Sequence, residues 1–381
     1  MLKREKHVNP FVIAGYIDPA YFCDREKETE TIISALENDR NITLISPRRF
    51  GKTGLIHHVF YQLNNPKNNV FCFYFDMFSS QNLYEFVQIF GKTILGKTDS
   101  YSQKNLKRMA AFFKSFRPAF SFDSLTGTPK ISIDLKPEET QNGLNEIFTY
   151  LKKCGKRCYI AIDEFQQITA YPEKGVETLL HSYMQFADNV KFIFAGSKKN
   201  LMDAMFSTVS RPVYQSAEKM NLCTLPLEAY RVFAQNHFAQ AGKTLPPSLF
   251  ETVYHIMSGH TWYIQLILNH LYSKPQKNYT EKDLNKVIAD MLKEENATYK
   301  TYCELLTKSQ LQVLKAIAKE RKTNTPAHID FIKKHNLRAV NSVKLAIRSL
   351  IDKTLILKDE KGFYSVYDRF FSLWLEQSKV N

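Results

Sequence analysis

ITLISPRRFGKT, residues 42–53, is the stretch on which the reading of the fold turns. A short apolar run, Ile42 to Ile45, passes into a loop ending Gly51-Lys52-Thr53, and GLIHHVFYQL behind it has apolar residues at helical spacing. Strand, loop and helix in that order make a phosphate cradle. Consecutive backbone N–H groups at a helix start face an anion, and the helix dipole favours negative charge there. Gly51 permits close backbone approach. Lys52 is placed to reach β- and γ-phosphates, and the Thr53 hydroxyl to ligate Mg²⁺. The pattern G-x-x-x-x-G-K-[ST] has its first glycine where this chain has Ser46, a departure tolerable while φ there stays negative. A second Gly-Lys-Thr, at Gly91–Lys92–Thr93, has no preceding strand and reads as an exposed helix segment.

The second half of such a site is a buried strand ending in acid. CYIAIDEF, residues 158–165, is a nearly continuous apolar run that stops at two carboxylates, as a parallel strand covered on both faces does. Asp163 is placed to hold Mg²⁺ through water beside Thr53. Glu164 is placed to orient and deprotonate an attacking water. Two acids after a strand can also simply begin a loop; the upstream phosphate loop favours the catalytic reading. A third apolar strand, VKFIFAGS at 190–197, ends in Ser197, which fits either a γ-phosphate contact or a strand-end turn. No guanine-reading N-K-x-D motif occurs.

These residues resemble a family: the AAA-related ATPases of the STAND class, specifically the archaeal-type group with kinship to origin-recognition ATPases. YFCDREKE is similar to the family's aromatic-x-G-R-E-x-E box, with Asp24 in place of the glycine and Arg25, Glu26 and Glu28 matching. SPRRFGKTGL is similar to its P-loop, doubled arginine included. AIDEFQQI resembles its Mg²⁺ strand, with Phe165 and Gln166 as characteristic followers. FAGSKKNLMDAMF and SRPVYQSAEKMNLCTLPL resemble its sensor strand and the segment after it. The resemblance implies that Ser46, Arg48, Arg49, Phe50, Gly51, Lys52, Thr53 and Gly54 line the nucleotide, with Phe22 and the Asp24–Arg25 box beside the adenine, so that ATP is expected over GTP. It implies Lys52, Glu164 and Ser197 as catalytic residues, and Thr53 and Asp163 at the metal. Many relatives carry glycine-arginine after the tyrosine of the last segment, whereas Tyr214 is followed here by Gln215 and Ser216. That leaves Arg211 as a weak candidate for an arginine finger.

Length and composition agree. A chain of 381 residues suits two or three domains. With 44% apolar and 24% charged residues it has the make-up of a soluble protein, without a run long enough to span a membrane or a secretory leader. Six scattered cysteines, of which Cys154 and Cys158 alone lie close, read as reduced core thiols of a cytoplasmic protein. Strands and helices alternate through the first half, with a hairpin expected in FSFDSLTGTPKISIDL turning at Thr126–Gly127 and a basic helix, NLKRMAAFFKSF, before it. From about residue 225 four helical segments follow without strands, the family's small lid, which would close over the nucleotide. There His260 and Trp262 stand where a basic sensor often lies, and Trp262 and Tyr263 read as packing residues.

Residues 305–381 read as a winged helix, with three helices, a hairpin turning at Asp359–Gly362 and a closing helix. Fifteen Lys/Arg against seven Asp/Glu give this segment an excess of eight positive charges out of the chain's net +14. Lys344 and Arg348 share a face of its third helix, and Lys358 and Lys361 lie on the wing, where they suit phosphate. Such modules also serve protein contacts, so duplex DNA and an acidic protein partner both fit. The expected architecture is therefore an AAA-like parallel-sheet P-loop core at 1–224, an all-α lid at 225–304 and a winged helix at 305–381. Two functions of different class fit it. One is a Mg-dependent, slowly turning ATPase switch that passes the ATP or ADP state to the winged helix, with a nucleotide-dependent oligomer conceivable. The other is a DNA-binding regulator that holds ATP as a structural ligand. No membrane role is expected.

Overall fold

The structure is a computed structural model that describes residues 9–65, 68–96, 111–122, 129–359 and 361–377. The chain divides into two compact units, one formed by 10–233 with 259–262 and the other by 1–9, 234–258 and 263–381.

Among the described residues of the first unit, five strands form one parallel sheet. They are β1 (Ile42–Ile45), β2 (Val70–Asp76), β5 (Arg157–Asp163), β6 (Val190–Gly196) and β7 (Glu218–Asn221), in the order β2-β5-β6-β1-β7. All neighbouring pairs run parallel. A separate antiparallel hairpin pairs β3 (Ala119–Phe122) with β4 (Pro129–Ser132); its expected turn at Thr126–Gly127 and residues 105–110 of the basic helix before it lie outside the described residues, and residues 113–116, expected as the end of that helix, are not helical.

The strand sequences explain the layering. Side chains alternate along a strand, so β5 sends Cys158, Ile160 and Ile162 into one core and Tyr159 and Ala161 into the other. One core is aromatic. Phe148 stacks on Tyr183 at 4.7 Å between centroids, Phe192 on Phe194 at 5.4 Å, and Phe165 meets Phe194 at 4.5 Å. The opposite core is aliphatic, built from Ile32 and Leu36 of helix Glu26–Glu37 and Leu55, Ile56 and Val59 of helix Lys52–Leu63. Each fully buried side chain of this kind is worth about 1.5–3 kcal/mol, so sandwiching the sheet fixes the strand ends on which the site is built. β6 lies between β1 and β5 and runs parallel to both, which places the phosphate loop and the acidic pair at the same carboxyl end of the sheet with one strand between them.

The second Gly-Lys-Thr corrects the expectation of an exposed segment. Gly91 is buried in helix Leu83–Leu95, where a Cβ would lie 2.2 Å from Phe116 Cε1. Lys92 is exposed and Thr93 half-buried.

The second unit is helical up to the winged helix. EKDLNKVIADMLKEENATYKTYCELL, the last of the four helical segments expected after residue 225, is two helices, Glu281–Glu294 and Asn296–Glu304. The break at Glu295 sets Tyr299 against Phe371 at 5.0 Å and lets the Asn296 side chain accept from Trp374 Nε1 at 3.1 Å. The winged helix follows as helices Lys308–Glu320, Ile329–Lys334 and Val340–Asp352, strands β8 (Ile356–Lys358) and β9 (Tyr364–Val366), and closing helix Arg369–Gln377. Thr307 and Gln310 form a capping box at the first of these. The second begins with His328 as its cap. Asp359 turns the wing by accepting from the N–H groups of Lys361 and Phe363, both at 2.9 Å. Among the described residues no helix is long and apolar enough to cross a membrane.

Candidate functional site

The phosphate loop runs from Ser46 at the end of β1 to Gly51, which caps helix Lys52–Leu63 without any side-chain hydrogen bond. The first-turn N–H groups of a helix have no partner within it, so this uncapped start is where an anion fits. The left-handed positions of the loop are Arg49 (φ 69°) and Gly51 (φ 91°), and Ser46 is not one of them. That is why serine is accommodated where the pattern has glycine. Ser46 is instead tied across the sheet, its N–H donating to Gly196 O at 3.2 Å.

Lys52 is 5% exposed. Its ammonium donates to the loop's own carbonyls, Ser46 O at 3.0 Å and Pro47 O at 3.2 Å. Burial pulls its pKa below the usual lysine value, opposed by Asp163 and Glu164. The cation therefore lies folded inside the loop that bears it.

Thr53 donates its hydroxyl to Asp163 Oδ2 at 2.8 Å. Tyr74 of β2 donates to the same oxygen at 3.1 Å, and its phenol is pushed well above the usual tyrosine pKa by burial and then by Asp163. The other oxygen, Oδ1, accepts from the Glu164 N–H at 2.9 Å. A hydroxyl and a carboxylate oxygen facing each other form the hard oxygen set that suits a small divalent cation. Glu164 itself is in the left-handed region (φ 55°). Its Oε2 accepts from Ser197 Oγ at 2.7 Å and from Gln166 Nε2 at 2.5 Å, and its Oε1 lies 3.6 Å from Arg48 Nε. The Arg48 guanidinium also covers the Phe78 ring at 4.5 Å.

The structure thus brings Ser46, Arg48, Lys52, Thr53, Asp163, Glu164 and Ser197 to one place. Arg49 turns to another. Its guanidinium lies 4.2 Å over the Trp262 ring, its carbonyl accepts the Trp262 N–H at 3.1 Å, and the Trp262 indole donates to Ile13 O at 2.9 Å. Phe50 meets His260 edge-on at 4.5 Å. Trp262, expected as a packing residue, instead touches the phosphate loop and is only half-buried, whereas Tyr263 is buried against Phe370 at 5.4 Å.

Phe22 stacks on His58 at 4.3 Å and reaches Gly54, whose absent Cβ would lie 3.5 Å from its ring. It flanks the first turn of the phosphate-loop helix. Arg25 is tied elsewhere, donating to Glu28 Oε1 at 2.7 Å and to Cys223 O at 2.5 Å. Asp24 has φ 54°, so the position where relatives have glycine does require a left-handed backbone, which aspartate tolerates better than most residues. Arg211 donates through Nη2 to Glu177 of helix Val176–Phe186, an ion pair within the chain. Tyr74 was not singled out in the sequence; a tyrosine hydroxyl inside the otherwise apolar run before Asp76 was the available signal.

Comparison with known proteins agrees with this geometry. A winged helix domain model matches residues 297–377. An uncharacterised ATP-binding protein of Methanocaldococcus jannaschii is 28% identical over 171 residues, 43% of this chain and 45% of that protein. The aligned part therefore spans less than half of that relative's length. Among solved structures, the Walker-type ATPase PABY2304 of Pyrococcus abyssi superposes with a TM-score of 0.63 at 16% identity, covering 96% of this chain and 99% of that one. The ORC2 protein of Aeropyrum pernix, solved in ADPNP–ADP complexes, gives 0.58 at 15% identity over 97% and 98%. The ORC1 protein of the same organism, solved in complex with DNA, gives 0.54 at 12% identity over 97% of each chain. At these identities the structural likeness speaks to the fold. The family model described as an ATPase domain predominantly from Archaea matches residues 22–267, more than half of the sequence, and the chain belongs to that ATPase family.

Proposed function

We propose that the chain binds ATP with Mg²⁺ and hydrolyses it slowly, as a switch whose nucleotide state is passed to the winged helix. The observation that carries this reading is the 2.8 Å hydrogen bond from Thr53 to Asp163, which joins phosphate loop and acidic strand across 110 residues of sequence. Thr53 and Asp163 would hold the metal, which supplies neutralisation of the phosphate charge. The Lys52 ammonium would exchange the carbonyls of Ser46 and Pro47 for phosphate oxygens. Glu164, fixed by its neighbours, would orient the attacking water and accept its proton. Phe22, beside Gly54, is the candidate base-side residue.

Glu164→Gln tests the catalytic part. Loss of a general base lowers turnover by about 10²–10⁴-fold, while the phosphate loop is untouched. The expected result is ATP retained at near wild-type affinity with hydrolysis at least a hundredfold slower. Equal turnover in variant and wild type would favour the alternative, in which ATP is a structural ligand of a DNA-binding regulator.

A second reading concerns the winged helix. Helix Val340–Asp352 buries Val343, Ala346, Ile347 and Leu350 and leaves Lys344 and Arg348 exposed on its other face. With the local charge excess, this supports duplex DNA as the partner. Affinity should then fall steeply with salt, and the Lys344→Ala/Arg348→Ala variant should bind more weakly with a shallower salt slope and unchanged ATP hydrolysis. No association at low salt would point to an acidic protein partner.

A further inference from the structure

We propose that Gln166 is the positioning residue that keeps Glu164 aimed once the nucleotide has drawn its other partners away; this rests on the hydrolytic reading above. Gln166 lies in the short 3₁₀ helix Phe165–Ala170 that follows the acidic pair. It is 3% exposed. Its amide nitrogen shares the Glu164 Oε2 atom with the Ser197 hydroxyl. The two donors differ in what they are free to do. Ser197 is only half-buried, and the Arg48 side chain facing Oε1 is 41% exposed. Both stand at the mouth of the site, where a phosphate would compete for them. Gln166 stands behind the carboxylate and has nowhere to go.

Its other end shows that packing alone does not call for a glutamine. A carboxylate only accepts hydrogen bonds, so the amide turns its NH₂ to Glu164 and its carbonyl away. That carbonyl, Gln166 Oε1, is buried with no hydrogen-bond partner among the described residues. It lies against Gly196, where an added Cβ would come within 2.5 Å of it and within 2.5 Å of Met202 Sδ. An orphaned acceptor in an apolar slot is a cost to the fold, which a methionine of similar length would remove. The slot at Gly196 is also kept clear of a Cβ to admit this amide. A residue that is costly to the fold and bonded to the carboxylate expected to activate water is the signature of a site that exchanges stability for function. With Ser197 and Arg48 turned to phosphate, Gln166 would hold Oε2 alone and leave Oε1 directed outward to the attacking water.

The test compares wild type, Glu164→Gln, Gln166→Met and Gln166→Asn for kcat, KM, affinity for a fluorescent ATP analogue and thermal midpoint. Misplacing a catalytic group by about 1 Å can cost on the order of a hundredfold in rate. Gln166→Met should lose about ten- to a hundredfold in kcat, with nucleotide affinity within about twofold of wild type and a thermal midpoint close to wild type, because the orphaned carbonyl and the hydrogen bond to Glu164 are removed together. Gln166→Asn keeps the amide on a stem one methylene shorter and should fall between wild type and Gln166→Met; it decides the matter if the methionine variant does not fold. Unchanged or raised kcat in both Gln166 variants, beside an inactive Glu164→Gln, overturns the positioning role and leaves the hydrolytic reading standing. A joint fall in thermal midpoint, affinity and kcat marks a structural role and overturns it too. Equal rates in wild type and Glu164→Gln overturn both proposals together.

Discussion

Gly91→Ala separates the two Gly-Lys-Thr copies by physics alone. In an exposed helix, replacing glycine by alanine stabilises by about 1 kcal/mol. Here the new Cβ would lie 2.2 Å from Phe116 Cε1, 2.6 Å from Cζ and 2.9 Å from Cδ1. Carbon atoms in good contact sit about 3.5–4.0 Å apart, so the ring must retreat by more than 1 Å or so. It has little room. Phe116 is fully buried, meets the Phe113 ring at 5.8 Å, and on its far side already lies where a Cβ at Gly143 would be only 3.2 Å away. Overpacking of this kind costs about 1–3 kcal/mol, and more where the neighbour is a hemmed-in ring. Taking the upper part of that range and subtracting the helix gain leaves a net loss of about 1–2 kcal/mol. For a unit of this size that is a fall in Tm of roughly 2–8 °C. Urea and thermal unfolding read it directly, and pairing Gly91→Ala with Phe116→Leu should recover part of the loss. ATP affinity should not change, because this copy is structural. A Gly91→Ala protein as stable as wild type, or more stable, would refute the packing account.

Two further predictions concern titratable groups. Burial raises the Glu177 pKa above the ordinary carboxylate value, against the lowering effect of Arg211. The folded state then binds more protons than the unfolded one between the two pKa values, so this group's contribution to stability declines as pH rises from the ordinary carboxylate range towards neutrality. The urea midpoint of Glu177→Gln, relative to wild type, should move in the variant's favour from pH 4 to pH 7, and an opposite slope would contradict the assignment. Cys154 and Cys158 place their sulfurs 3.5 Å apart, and the hydrogen bond from Cys158 holds the Cys154 thiol below the usual thiol range. Alkylation follows the thiolate fraction, so modification of Cys154 followed by mass spectrometry should vary little between pH 7 and pH 9. It should become strongly pH-dependent in Cys158→Ala; the same profile in both proteins would remove the pairing as its cause.

The parts of the molecule that could be read from sequence were those whose burial leaves a pattern. β1, β5 and β6 are apolar along almost their whole length because helices cover both faces of the sheet, and their ends locate the loop, the acids and Ser197. β7 was not legible. EKMN is four residues long at the sheet edge, mostly exposed, and is defined only by pairing with β1. The hydrogen bond from Arg25 to the Cys223 carbonyl and the pairing of Arg211 with Glu177 arise from tertiary contacts that no periodicity encodes. The same holds for Trp262: aromatic spacing on a helix suggests core, but a cation on a neighbouring loop gives the ring a different use. Gln166 was visible only as a companion of the acidic pair, and its hydrogen bond to Glu164 became apparent with the turn that folds it back.

The central claim is that the loop ending in Lys52 is a nucleotide-phosphate site, and equilibrium ATP binding to Lys52→Ala tests it most directly. A hydrogen bond to a charged group is worth about 1.5–3 kcal/mol, which corresponds to roughly a 10- to 100-fold loss of affinity. The account predicts a loss of at least that size in a variant whose unfolding transition shows it to be folded. ATP affinity unchanged from wild type would contradict it.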